Sequence, residues 1–408
     1  MESYLDDIAY TEYLFDQFYN VGSSGNGGVT RLGYTKQEDE MHEILKYLGE
    51  REGCTHFVDQ VGNMFLVNKN EKEDYYLIGS HLDSVIEGGR YDGVAGIIAG
   101  LLILHWVKID QINLPISVGA FRCEESSNFG LCTLGSGLVT QEVYKQDIGE
   151  LISEDGKLLK DIFKEKNYNL HPKKISGIKE YIELHIEQGK ILEEYNNKIG
   201  IVETIAGPRR FNIHINGLAE HSGATPMDMR NDALCGAAEL ILEIEQIGKE
   251  EAMHKSVATV GVIHNYPNAM NVIPGEVLLG IDIRGIDVNS LDRMEMRIKN
   301  ISKKICKNRG LTYFREKLNN ISPIGMSPDL QNKLAAAAKK LKISHRMMMS
   351  GAGHDAMSFA GICDTAMIFI PCDKGISHNK KEFTSIENIC NGARVIYEYL
   401  KGEADDSN

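Results

Sequence analysis

The sequence predicts an α/β protein with a mostly parallel central sheet, interrupted by a smaller α+β domain. Three observations lead there. Before Gly207, apolar strand patterns flank a long apolar helical pattern and close in polar residues, as strands of a parallel sheet do. From Gly207 the pattern becomes strand, helix, strand, strand, helix over about 110 residues, which suggests a ferredoxin-like sandwich. After Pro323 a glycine-interrupted α/β texture returns. The expected division is therefore a larger domain in two parts, 1–207 and 323–408, around an insert at 208–322.

Each element has its own signal. From Tyr34 to Gly49, YTKQEDEMHEILKYLG is an amphipathic helix with glycine at its end. THFVDQVGNMFLV reads as strand, turn, strand, and DYYLIGSHLDS as an apolar strand ending in polar residues. VAGIIAGLLILHWVKI is a long apolar helix whose small residues permit close packing, and LPISVGAFRCEESS is a strand ending in acids. In the insert, RRFNIHINGLAEHSGATP alternates before entering a loop. DALCGAAELILEIEQIGK is a helix, SVATVGVIHNYPNAMNVIPGEVLLGIDIRG is two strands, and SLDRMEMRIKNISKKICKN is another helix. The tail GEADDSN is expected to be disordered.

Composition narrows the function classes. A chain of 408 residues exceeds one compact core, so two domains are expected. The formal net charge of −14 argues against a nucleic-acid partner, which needs a basic surface. An apolar run of membrane-spanning length is missing, and the acidic opening MESYLDDIAYTEYL lacks a basic-then-apolar signal pattern. The 8 cysteines contain no Cys-x-x-Cys pair, so they read as reduced thiols of a cytoplasmic protein.

Polar residues collect where a parallel sheet gathers ligands: His81 with Asp83, Asp92, the pair Glu124–Glu125, His185, and far downstream His378. Imidazole and carboxylate without thiolate suit Zn²⁺, Mn²⁺ or Co²⁺. His81 and Asp83 stand two apart in an extended segment and face the same way, which lets Asp83 hold the His81 ring. Glu124 and Glu125 are adjacent and face different ways, so one can bind metal while the other acts as a base. Singly, each has a structural explanation: a hydrogen-bonded histidine, a solvated acid pair, a turn aspartate. Their joint placement is what points to a metal site.

Seven ordered motifs carry a family resemblance: GSHLDSV with GGRYDGVAGI, FRCEESSNFG, ELHIEQG, AEHSGATPMDMRNDAL, NVIPGEVLLGIDIR, GAGHDAMSFA and GISHNKKEF. From about Tyr34 to Phe383 the chain resembles the M20-type metal-dependent amidohydrolases, in particular the hydantoinase/carbamoylase branch. The resemblance implies two divalent ions per subunit, bridged by Asp92, with His81 and His185 completing one shell and Glu125 and His378 the other. It implies Glu124 as general base and His221 as the residue steadying an oxyanion, the latter often across a homodimer interface made by the insert. Arg284 would bind a substrate carboxylate; Gln188, Arg210 (or its neighbour Arg209) and Asn271 match further substrate positions, and Gly351 and Gly353 would let backbone approach the substrate. His354 is expected to be a structural hydrogen-bonding residue near the site. His185 departs from the carboxylate of related peptidases, which disfavours a dipeptidase. The implied substrate is a small anionic ureido acid, an N-carbamoyl-L-amino acid or, as the alternative, allantoate. EESSNFG departs from the Glu-Glu-Gly-Ser-Arg-Phe form common in the family, which affects the loop and not the two glutamates.

Overall fold

The computed structural model describes residues 2–68, 74–141 and 148–406. The chain forms two compact units, residues 1–203 with 325–408, and residues 204–324.

The larger unit opens with helices α1 (Glu2–Tyr19) and α2 (Lys36–Arg51) and strands β1 (Thr55–Val58), β2 (Met64–Val67) and β3 (Tyr75–His81). Helix α3 (Val94–Ile109), strand β4 (Ile116–Phe121), helices α4 (Leu134–Thr140) and α5 (Leu159–Lys166), and strand β5 (Ile178–Ile186) follow. Helix α6 (Ile191–Glu194) and strand β6 (Ile199–Ile205) lead to the second unit. That unit comprises β7 (Gly207–Asn216), α7 (Ala233–Glu251), β8 (Ser256–Tyr266), β9 (Glu276–Gly285), α8 (Val288–Asn308) and β10 (Thr312–Asn320). The chain then adds β11 (Ile324–Gly325), α9 (Pro328–Lys340), β12 (His345–Ser350), α10 (Ala356–Phe359), β13 (Asp364–Ile370) and α11 (Ile386–Asp406).

Among the described residues the larger unit holds one nine-stranded sheet in the order β1-β2-β4-β3-β5-β13-β6-β11, with β12 pairing β6. Its centre, β4-β3-β5-β13, is parallel; β1 and β2 are antiparallel to their neighbours, and β6 is antiparallel to β13. The central strands are buried almost throughout, which explains their continuous apolar runs. Helix α3 is apolar all round because it is enclosed: it packs on the sheet, α1 and α11. A side chain at Gly96 would overlap the Leu184 carbonyl, so glycine sets how closely α3 approaches β5. No helix among the described residues is long and apolar enough to cross a membrane.

Helix α1 has no counterpart in the sequence-based expectation. It buries Thr11, Leu14, Phe15 and Phe18, a helical spacing obscured by interspersed acids. The expected disorder of the tail is corrected through Asp406, because α11 runs that far. Glu403 accepts hydrogen bonds from the Tyr76 hydroxyl at 3.1 Å and pairs with Lys333 at 3.2 Å, so tertiary contacts override the Gly402 break. Residues 407–408 lie outside the described residues. No disulfide joins the cysteines.

The second unit is a four-stranded antiparallel sheet in the order β10-β7-β9-β8, reached in the chain order β-α-β-β-α-β. Buried and half-buried residues alternate along β7 and β9. One face packs Phe211, Ile213, Leu279 and Ile281 against Leu240 and Ile244 of α7 and Met294 and Ile298 of α8.

Candidate metal centre

The parallel strands bring the predicted ligand residues together. Strand β3 ends on His81, β5 carries His185 in its last turn of pleat, and β4 leads through Arg122 and Cys123 into Glu124 and Glu125. Asp92 precedes α3, and His378 follows β13. All lie beyond or at the C-terminal ends of parallel strands. His185 Nε2 stands 2.9 Å and His81 Nε2 3.5 Å from Asp92 Oδ1. His378 Nε2 stands 3.3 Å from Asp92 Oδ2 and 3.2 Å from Glu125 Oε1. Two clusters of ligand atoms thus share Asp92: His81, Asp92, His185 and Asp92, Glu125, His378.

The hydrogen bonding fits these residues to a cation. His185 Nδ1 lies 2.9 Å from the Ile186 carbonyl, an acceptor only, so the neutral ring carries its hydrogen there. Its Nε2 lone pair then confronts a carboxylate oxygen at 2.9 Å, an arrangement that requires a proton or a cation between them. His81 repeats the pattern, with Nδ1 3.2 Å from the Asp83 carbonyl. Without an ion, protons fill this role. Burial opposes charge on His81, yet hydrogen bonding to Asp83 and Asp92 raises its pKa well above the usual range. Burial likewise opposes charge on His185, and Asp92 raises it. His378, held by Asp92 and Glu125, is pushed up to about 10. Burial works against the Asp92 carboxylate, and the His185 charge nevertheless holds it well below its ordinary value.

A pH dependence follows. A divalent ion must displace imidazole protons, so binding releases protons and weakens on acidification. Below the His378 value of about 10, each pH unit lowers apparent affinity about tenfold per proton displaced. Calorimetric titration of metal-free protein with Zn²⁺ in buffers of different ionisation enthalpy measures this; binding without proton release contradicts the ligand set.

Backbone geometry aims the side chains of this cluster. Cys123, Gln188 and His378 all take left-handed conformations, with φ of 53°, 56° and 53°. Such strain in non-glycine residues persists where surrounding contacts fix it. Gly93 has φ 66°, and a Cβ there would lie 2.5 Å from the His81 carbonyl and 2.6 Å from its ring. The Asp83 carboxylate accepts from the Glu124 and Glu125 N–H groups, each at 3.0 Å. Its closest approach to His81 Nδ1 is longer, 3.4 Å, so Asp83 fixes the glutamate pair as well as the ring. Glu38, which sequence reading passed over, accepts from Cys123 N at 2.8 Å and pairs with Arg122 at 2.9 Å. The two glutamates diverge: Glu125 faces His378, and Glu124 turns towards His81 at 3.9 Å. Burial, with Glu125 adding to it against His81, raises the Glu124 carboxyl well above the ordinary range.

The other predicted positions are placed as follows. Gln188 Nε2 donates to Asp92 Oδ2 at 2.9 Å, and its buried Oε1 has no hydrogen-bond partner. His354 is buried 2.9 Å from Ser350 Oγ, its ring edge-on to His185; burial and His185 keep it neutral. A Cβ at Gly351 would meet no atom within 4 Å, and one at Gly353 only Met357 Sδ at 3.5 Å, leaving open space beside both. Within the second unit, His221 Nδ1 accepts from Gly223 N at 3.1 Å and Ala224 N at 3.2 Å. The neutral ring therefore carries hydrogen on Nε2 and offers an exposed donor. Asn271 is adjacent, its carbonyl accepting from Ser222 N at 3.0 Å. Arg210 and Arg284 share the sheet face away from the helices, both paired with Asp282 at 2.9 Å. Arg209 is buried on the opposite face against Asp292 and Glu295 of α8, so of the two arginines Arg210 is the one available to a ligand.

Residues 77–402 match the model of peptidase family M20/M25/M40. The chain belongs to the M20 peptidase family. Within it, the chain is an amidohydrolase of the hydantoinase/carbamoylase branch, a hydrolase of amide C–N bonds. It is 36% identical to the N-carbamoyl-L-amino-acid amidohydrolase of Pseudomonas sp. (strain NS671), covering 94% of this chain and 95% of that one. It is 32% identical to the allantoate amidohydrolase of Bacillus subtilis (strain 168), covering 96% of each. A hydantoinase/carbamoylase family amidase from Burkholderia multivorans superposes with TM-score 0.89 at 31% identity, over 97% of this chain and 98% of that one.

Proposed function

We propose that the chain hydrolyses the ureido C–N bond of an N-carbamoyl-L-amino acid, giving the amino acid, carbon dioxide and ammonia. The observation carrying this reading is the placement of three imidazoles and Glu125 around both oxygens of Asp92, with Glu124 beside them. His81, Asp92 and His185 would hold one divalent ion, and Asp92, Glu125 and His378 a second, with Zn²⁺, Mn²⁺ and Co²⁺ all suited to the donors. Bound ions supply charge that lowers the pKa of an attacking water from about 16 towards 7 and polarises the carbonyl.

The chain's own groups do the rest. Glu124 takes the proton of the attacking water and delivers it to the leaving nitrogen. His221 donates from Nε2 to the developing oxyanion, a contact typically worth about 3 kcal/mol of barrier. Gln188 and Asn271 supply polar contacts to the ureido group, and the backbone at Gly351 and Gly353 lines its approach. Arg284, with Arg210 beside it, binds the substrate carboxylate as a fork, which lets an acidic protein take an anion. Replacing Arg284 by alanine should raise KM with a smaller change in kcat, because the carboxylate is held alike in ground and transition states. Steady-state kinetics check this.

We read the 204–324 unit as a ferredoxin-like lid and dimerisation domain. Its β-α-β-β-α-β order supports this, as do the exposed Val257, Val262 and Ile263 on β8, one of the two outer strands of its sheet. The second reading of the substrate is allantoate, favoured by the Bacillus subtilis relative. Comparing kcat/KM for N-carbamoyl-L-methionine, N-carbamoyl-β-alanine and allantoate tests the choice. Preference for the first supports it, and preference for allantoate replaces it.

A further inference from the structure

Metal ligands drawn from distant parts of a chain need something to fix their separation. Asp92 lies before α3 and His378 lies 286 positions later, yet His378 Nε2 is 3.3 Å from Asp92 Oδ2. One buried side chain touches both segments. Glu382 Oε1 accepts from Tyr91 N at 2.9 Å and Asp92 N at 3.0 Å. Its Oε2 accepts from Ser377 Oγ at 2.9 Å and His378 N at 3.3 Å. Ser377 Oγ also stands 3.1 Å from Asp92 Oδ2, so the same carboxylate borders both the backbone and the side-chain surroundings of the shared aspartate.

Two further features fit this position. The Gly89 backbone lies against the Glu382 carboxylate so closely that a Cβ there would overlap it. The neighbouring rings lock together as well, with Phe383 edge-on to Tyr91 at 5.6 Å and Tyr91 stacked on Phe15 at 4.6 Å. Both oxygens of Glu382 are thereby engaged, one by each segment.

We propose that Glu382 is a positioning residue that sets the Asp92–His378 separation, and so the affinity of the ion held by Asp92, Glu125 and His378. This rests on the metal-centre reading above. Removing the carboxylate leaves two buried N–H groups at residues 91 and 92 without an acceptor and frees the His378 turn. The His81–His185 side of Asp92 keeps its own supports, the Asp83 and Ile186 carbonyls. Loss should therefore be unequal between the two ions. Glutamine keeps the acceptor for residues 91 and 92 and can donate to Ser377, missing only the His378 N–H.

The test is calorimetric titration of metal-free protein with Zn²⁺, with far-ultraviolet circular dichroism as a check on folding. Wild type should take two ions. Glu382→Ala should lose about 10–100-fold in affinity for one ion, the scale of outer-shell substitutions, and keep the other. Glu382→Gln should recover most of that loss, a rescue that a generic packing defect would not show. Gly89→Ala, which displaces the carboxylate without removing it, should reproduce the alanine defect and decides the matter if Glu382→Ala does not fold. Alanine variants at both positions that bind two ions as wild type does, or that weaken both ions equally, overturn the positioning role. Wild type binding no ion would instead remove the metal-centre reading itself.

Discussion

Glu124→Gln is expected to lower turnover of a ureido acid by about 10²–10⁴-fold, the usual worth of a positioned acid–base group. Metal content should stay at the wild-type level. The divergence of the two glutamates is the reason: the Glu125 carboxylate faces His378, whereas Glu124 lies off that axis, 3.9 Å from His81. The substitution leaves the backbone untouched, so the Asp83 carboxylate still receives the N–H groups of residues 124 and 125. Glutamine matches the size of glutamate but can neither take nor return a proton. Metal analysis beside steady-state kinetics decides the case. Loss of metal from this variant would mean that the roles of Glu124 and Glu125 are reversed.

Asp92→Asn should be more severe, because in the proposed two-ion site it strikes both ions at once. Oδ1 faces His185 and His81, and Oδ2 faces His378 and Gln188. An amide has one acceptor oxygen and no charge, so one cluster loses its shared ligand atom and the other its neutralising charge. Affinity for both ions should fall by more than the roughly 10–100-fold typical of an outer-shell change, and turnover should vanish with them. His378→Ala should release one ion and retain the other. Calorimetry on the two variants separates the cases. Equal behaviour of the two variants would contradict a shared aspartate.

Much of the site's proximity was legible in the sequence, because parallel sheets collect ligands at strand ends and His81, Glu124 and His185 follow strand-like runs. What holds those residues was not legible. Asp83 reads as a partner of His81 two positions away, yet its oxygens are engaged by N–H groups 41 and 42 residues on, in a neighbouring strand's exit. Glu38 and Glu382 look like surface acids in KQEDE and NKKEF, and only the folded chain buries them against backbone donors. Hydrogen bonds from side chain to distant backbone leave no periodic trace. The pairing of Arg210 with Asp282 depends on β7–β9 register, which sets the two opposite each other, whereas Arg284 pairs with Asp282 two residues away on the same strand. Helix α1 and the end of α11 were hidden for a related reason: their acids suggest solvent, whereas buried rings in one and Lys333 and Tyr76 against the other supply the stability.

Ammonia release by the metal-free protein, before and after addition of Mn²⁺ or Zn²⁺, tests the central claim most directly. N-carbamoyl-L-methionine, N-carbamoyl-β-alanine and allantoate serve as substrates. Restored turnover of at least one ureido acid on adding metal is the predicted result. A folded protein that turns over none of them with either metal would contradict it.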